Sequence, residues 1–195
     1  MGSEKVANVH AEVQKLNLPT KITLLRILLV PFLLAFLIAP SRVNALMAAL
    51  IFGAAALTDW LDGHLARSTQ QVTTLGKLLD PIADKILLAA GLIPLVGLGR
   101  VPAWMAAIML SREFAVSGLR EIAAAEQVII HASPMAKAKT VLQIVAILFL
   151  ILDYQLWPLT FYTLGVGLLT LSLVLSLISG VEYYVKWRRG LQYRW

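Results

Sequence analysis

Long apolar runs, separated by short polar interruptions, follow one another along most of the chain. Each is too long for a strand and reads as helix. The first covers residues 22–39, with Lys21 and Arg26 at its start and Pro31 inside it. After a turn at 40–42, the second begins near Asn44 and stays apolar or small up to Thr58. That is short of the roughly 20 residues needed to cross hydrocarbon, so this helix is predicted to continue through Asp59 to about Ala66. The third mirrors it, polar from Gly76 to Lys85 and apolar over 86–98, with Pro81 expected to kink it. Residues 97–102 form the next turn. The fourth run, from Ala103, meets Ser111, Arg112 and Glu113 part-way and continues through Arg120 and Glu121. The fifth begins near Pro134, carries Lys137 and Lys139, and is apolar over 141–152. The sixth, 159–178, ends in Glu182 and a basic tail with Lys186, Arg188, Arg189 and Arg194. Ahead of them all, Val6, Val9, Val13 and Leu16 recur at helical spacing among polar residues, as in a short amphipathic helix on a membrane surface.

The pattern predicts an all-α integral membrane fold. Six transmembrane helices would enclose a cytosol-facing polar cavity, preceded by the N-terminal amphipathic surface helix. The corresponding divisions are a juxtamembrane segment at 1–20, a six-helix domain at 21–190 and a basic tail at 191–195. Composition agrees. Of 195 residues 59% are hydrophobic and 14% charged, against roughly 25% charged in a soluble domain. With no cysteine, disulfides, thiolate metal sites and a Cys nucleophile are excluded. The net charge of +6 fits basic flanks facing anionic lipid, so no nucleic-acid partner is expected. No signal peptide is expected, because the first 16 residues lack an apolar stretch. Arg42 and Arg100 sit in turns on one side, and all other Lys and Arg fall on the other side with both termini. The positive-inside rule makes that second side cytoplasmic and opens every polar half-helix toward it.

Four aspartates, Asp59, Asp62, Asp80 and Asp84, interrupt this hydrocarbon with no other acid between them. Carboxylates in a membrane protein are costly and are kept for a task. Asp59, Asp62, Gly63 and Ala66 fall at i, i+3, i+4 and i+7, one helix face; Gly76, Asp80 and Asp84 fall at i, i+4 and i+8, again one face. Two carboxylates from each of two facing helices make an all-oxygen set suited to Mg²⁺ or Mn²⁺, and their number favours two ions. The bland alternative is salt bridging to Lys77, Lys85 or Arg67.

The pattern D-x-x-D-G-x-x-A-R, eight residues, then G-x-x-x-D-x-x-x-D is complete over residues 59–84. It resembles the signature of the CDP-alcohol phosphatidyltransferase family, integral membrane enzymes of phospholipid synthesis. The resemblance implies that Asp59, Asp62 and Asp80 hold metal and position the diphosphate of a CDP-lipid. It makes Asp84 a metal ligand and the general base, Arg67 a diphosphate contact, and Gly63, Ala66 and Gly76 the lining of the cytidine pocket. Asn17, Thr20 and Thr23 stand at the cytosolic start of helix one, as nucleotide contacts or as helix caps. His64 occupies an unspecified motif position on a shifted face and is not expected to act.

Arg112, Arg120, Lys137 and Lys139 form a second set, suited to gripping an anionic co-substrate or, more simply, to collaring lipid headgroups. Ser111-Arg112-Glu113 with Ser117-Gly118-Leu119-Arg120-Glu121 resembles the family branch that makes phosphatidylglycerol phosphate. Glycerol 3-phosphate would then be the acceptor, held by these four cations, with CDP-diacylglycerol the donor and CMP the leaving group. A homodimer in a bacterial-type inner membrane, among its lipids, is implied by the same resemblance. The alternatives are another acceptor (inositol phosphate, serine or a phospholipid) and a divalent-cation transporter, for which helices two and three offer almost no polar path outward.

Overall fold

In the computed structural model the described residues are 18–39, 41–69, 74–126, 134–153, 155–156 and 159–192. Of the α2 segment after Thr58 and the α3 segment before Leu79, only the backbone is described. Among the described residues the chain is all-helical apart from one minimal strand pair. The helices are α1 (Leu18–Ile38), α2 (Arg42–Thr69), α3 (Thr74–Gly97), α4 (Ala103–Ala125), α5 (Pro134–Leu152) and α6 (Phe161–Gln192). The strands β1 (Gln155–Leu156) and β2 (Leu159–Thr160) pair antiparallel between α5 and α6, a ladder the hydropathy pattern does not show. The predicted amphipathic helix ahead of α1 lies outside the described residues.

Among the described residues three stretches are long and apolar enough to cross a membrane: Thr20–Ile38, Pro134–Leu152 and Phe161–Arg188. In α2 the apolar part is the shorter Arg42–Thr58, and the helix does run on past the aspartates, as its length requires. The end of α6 corrects the sequence reading. Helix was expected to stop near Ile178, yet it continues to Gln192 and takes Lys186, Arg188 and Arg189 with it. Polar residues there do not end it, because Lys186 pairs with Glu182 one turn back at 2.5 Å. Leu18, Pro19 and Thr20 form the first turn of α1, where proline is tolerated.

Each helix contributes a stripe to the interior. On α1 the stripe changes character along its length, from buried Thr20, Thr23 and Arg26 to buried Leu33 and Leu37. The apolar half joins Phe52 of α2, Leu92 and Leu95 of α3, Met105 and Met109 of α4, and Ile147 and Leu150 of α5 in one core. Helix α1 packs on α2 and α3, α2 also on α5, and α4 on α3 and α6, while α5 and α6 share the most extensive interface. That interface needs Gly165. A Cβ there would lie 2.7 Å from Leu150 Cγ and 3.2 Å from the Ala146 carbonyl oxygen.

The end of the bundle where α5 finishes is fixed by Arg100. It donates to the carbonyls of Leu150 and Ile151, both at 2.9 Å, and pairs with Asp153 at 3.2 Å. A cation on the last carbonyls of a helix opposes their partial negative charge. Asp153 itself takes a left-handed backbone, φ 47°, a conformation that aspartate tolerates better than most side chains. A pocket of about 720 Å³ opens beside this cap, lined by Phe36, Leu37, Arg42, Arg100 and Asp153 among others. It lies at the opposite end from the aspartates.

Candidate active site

Two of the four motif aspartates have described side chains, and α1 holds both. Thr23 Oγ1 donates to Asp80 Oδ1 at 2.6 Å, and Arg26 Nη1 donates to Asp84 Oδ1 at 2.6 Å. The residue numbers rise together on both helices, so α1 and α3 run parallel here and present matching turns. The Arg26 side chain is 1% exposed and that of Asp84 is 50% exposed. The guanidinium is therefore held inside the bundle and the carboxylate it orients faces outward. A buried arginine is stable only when its charge is met. Asp80 is exposed beside it.

Arg26, which holds Asp84, is a residue of this site that sequence reasoning passed over. Near the start of an apolar span it looks like a cation that snorkels to the interface. A signal existed: it shares the inward stripe with Thr20 and Thr23, at i, i+3 and i+6, where a snorkelling cation has no reason to be. The alternative of Asp84 pairing with its neighbour Lys85 is not what forms. Lys85 Nζ lies 5.4 Å from the centroid of the Phe114 ring instead, joining the aspartate region of α3 to the polar half of α4.

That half of α4 carries the second cluster. Arg112 donates through Nε to the Ser176 carbonyl at 2.7 Å and through Nη2 to Ser179 Oγ at 2.6 Å, both on α6. Gly180 keeps the space open, since a Cβ there would meet Arg112 Nε at 3.4 Å. Glu113 Oε1 accepts from Arg112 Nη1 at 3.3 Å and from Lys139 Nζ of α5. Ser172 Oγ in turn donates to the Lys139 carbonyl at 3.0 Å. The stripe Ser172, Ser176, Ser179 is buried inside an otherwise apolar helix; sequence reading missed it, although its i, i+4, i+7 spacing was available. Tyr183 continues the stripe and is buried, whereas Trp104 and Tyr184 are exposed.

Of the four cations expected to grip an acceptor, Arg112 and Lys139 are thus brought together on one carboxylate. Arg120 and Lys137 stand exposed on α4 and α5 and do not join them. Asp59, Asp62, Gly63, His64, Ala66, Arg67 and Gly76 lie on the described backbone of α2 and α3, with their side chains outside the description, and Asn17 lies outside the described residues. Among the described residues no three acids or histidines gather into a metal site.

A family model described as CDP-alcohol phosphatidyltransferase matches residues 16–178, a span that takes in α1 to α5 and α6 as far as Ile178. The chain belongs to that family. Similar proteins include CDP-diacylglycerol–glycerol-3-phosphate 3-phosphatidyltransferases from several bacteria. The one from Bacillus subtilis (strain 168) is 39% identical over 182 residues, covering 87% of this chain and 94% of the relative. That of Wigglesworthia glossinidia brevipalpis is 38% identical over 182 residues, covering 89% and 97%. That of Salmonella choleraesuis (strain SC-B67) is 38% identical over 172 residues, covering 86% and 92%. As a CDP-alcohol phosphatidyltransferase the chain is a membrane transferase with several apolar helical spans. The second half of the motif, with Asp80 and Asp84 on α3, lies against Thr23 and Arg26 of α1.

The donor set fits the divalent metal of this family. Asp80 and Asp84 offer hard oxygen donors one helical turn apart, and both carboxylates are exposed rather than sealed in the core. The contacts from Thr23 and Arg26 fall on Oδ1 in each case.

Proposed function

We propose that the chain transfers the phosphatidyl group of CDP-diacylglycerol to sn-glycerol 3-phosphate, giving phosphatidylglycerol phosphate and CMP. The observation that carries this reading is the likeness to relatives of that name over most of both chains. It is supported by an Arg112–Lys139 pair in the interior of the same polar half of the bundle, a set suited to a phosphorylated acceptor better than to serine.

Asp59, Asp62, Asp80 and Asp84 would hold Mg²⁺ or Mn²⁺, two ions by the count of carboxylates. When bound, such ions would supply charge neutralisation for the diphosphate and for the CMP leaving group. The chain's own residues do the rest. Asp84, oriented by Arg26, takes the proton of the acceptor's primary hydroxyl. The freed oxygen forms a bond to the lipid-bearing phosphorus in line with the leaving group, and the bond from that phosphorus to the CMP oxygen breaks. Arg67 contacts the diphosphate, and Gly63, Ala66 and Gly76 leave room for the cytidine. Arg112 and Lys139, with Arg120 and Lys137 nearer the surface, draw in the acceptor's phosphate. This reading makes 21–190 one catalytic unit of six spans around a cytosol-facing polar cavity. Both termini face the cytosol of a bacterial-type plasma membrane, and the enzyme works as a homodimer.

The test is CMP release by purified protein from CDP-diacylglycerol with Mg²⁺ or Mn²⁺, supplying glycerol 3-phosphate, inositol 1-phosphate and serine separately. Release with glycerol 3-phosphate alone is expected. Release with another acceptor overturns the assignment of acceptor and leaves the aspartate chemistry standing.

A further inference from the structure

Glu113 is the carboxylate that ties Arg112 to Lys139, and three observations show that its place is unusual. The first is the order of burial. The Lys139 side chain is 5% exposed, Arg112 9% and Glu113 21%, so the acid sits on the open side of the two cations. The second is how each cation is held. Arg112 is anchored to α6 by Ser176 and Ser179 and does not depend on Glu113 for its position. Lys139 Nζ, among the described residues, has Glu113 as its side-chain partner. The third is charge and unspent capacity. Two cations share one acid, and the ammonium has three donors, of which Glu113 takes one. Buried Gln143 Nε2 on α5 and Ser176 Oγ on α6 have no hydrogen-bond partner among the described residues. Gln143 lies one turn beyond Lys139 on α5, and Ser176 carries the carbonyl that accepts from Arg112. Buried donors and surplus positive charge are costly unless an acceptor-rich anion completes them.

We infer that Glu113 is a self-occupying anion in a phosphate subsite. Its carboxylate stands where a phosphate monoester dianion would sit, holds Lys139 extended while the subsite is empty, and gives way when the dianion arrives. A phosphate offers more acceptor oxygens and more charge than a carboxylate, so it engages Lys139 and the remaining Arg112 donors together. Glu113 is thus a positioning residue that acts through Lys139 and sets the threshold at which the acceptor's phosphate is admitted. The inference rests on the reading of Arg112 and Lys139 given under Proposed function and deepens it.

The experiment is titration of the full chain, in detergent without CDP-lipid, with inorganic phosphate, followed by calorimetry. Glu113→Gln keeps the shape and removes the competing charge. It should bind phosphate about tenfold more tightly than wild type, the scale of one lost charge-assisted competitor. In the transfer assay its KM for glycerol 3-phosphate should fall while kcat does not rise with it. Glu113→Asp, which keeps the charge on a shorter arm, should fall between the two and carries the test if the glutamine variant does not fold. Phosphate binding that is unchanged or weaker in the folded variants overturns the inference, since a merely structural Glu113 would give that result. Tighter phosphate binding in protein that transfers to some other acceptor retires glycerol 3-phosphate and upholds the role of Glu113.

Discussion

Replacing Arg26 with methionine separates catalysis from stability. Arg26 Nη1 meets Asp84 Oδ1 at 2.6 Å with the guanidinium inside the bundle and the carboxylate half exposed. A fully buried charge-assisted hydrogen bond contributes about 1.5–3 kcal/mol. Water reaches the Asp84 side, so the contribution here is nearer 1 kcal/mol. Methionine fills most of the same volume and also relieves the cost of burying a cation. The net change in stability is therefore expected to be about 1 kcal/mol or less, a shift of a few degrees in Tm. Orientation of the base is a different quantity. A group displaced by about 1 Å from its productive position costs about 100-fold in rate, so Arg26→Met should lower kcat about 100-fold in protein that melts almost normally. Arg26→Lys keeps the charge but not the planar fork or the reach, and an intermediate loss of about tenfold is expected. CMP release at saturating CDP-diacylglycerol and glycerol 3-phosphate gives kcat, and thermal unfolding in the same detergent gives Tm. Turnover of Arg26→Met within about threefold of wild type would refute the reasoning, because it would show that Asp84 finds its position unaided.

Asp84→Asn should retain CDP-lipid binding and lose about 10³-fold or more in transfer, checked by lipid titration alongside CMP release; undiminished turnover removes Asp84 as the base. Chelation with EDTA should abolish CMP release, and added Mg²⁺ or Mn²⁺ should restore it; activity that persists in chelator contradicts the metal reading of the aspartates. Gly165→Ala places a Cβ 2.7 Å from Leu150 Cγ and close to the Ala146 carbonyl. It should cost about 1–3 kcal/mol through overpacking at the α5–α6 interface, seen as a lowered Tm. An unchanged Tm would show that this contact yields freely.

Most of the helical order was legible because hydropathy and length constrain each other. The apolar part of α2, Arg42–Thr58, is too short to span, which by itself requires the helix to carry its aspartates onward. Helix α5 could be placed from its opening proline and its apolar run, and it forms over Pro134–Leu152. Where a helix ends was less legible. Hydropathy falls at the end of α6, but hydropathy reports the solvent and not the backbone, and the Glu182–Lys186 pair keeps the helix going. The β1–β2 pair was illegible for the opposite reason, because two residues a side carry no periodicity.

The site divides along the same line. A carboxylate in hydrocarbon announces a function, so the aspartates could be found from one sequence. A cation near a span end does not, because three fates look alike in sequence: snorkelling to lipid, pairing, or binding a ligand. The structure separates them residue by residue. Arg26 is buried against Asp84, Arg100 caps α5 at the far end, Arg112 braces α4 on α6, and Arg120 stays exposed. What decides each fate is the small or polar residue opposite, and that residue lies far away in sequence. Ser176, Ser179 and Gly180 receive Arg112 across more than sixty positions of chain. One hydroxyl of the serine stripe, that of Ser179, is thus the complement of a buried cation far away in sequence. Ser176 receives Arg112 through its backbone carbonyl and Ser179 through its hydroxyl, so Ser179→Ala should loosen Arg112 and lower the Tm, whereas Ser176→Ala keeps its contact and should leave the Tm nearly unchanged.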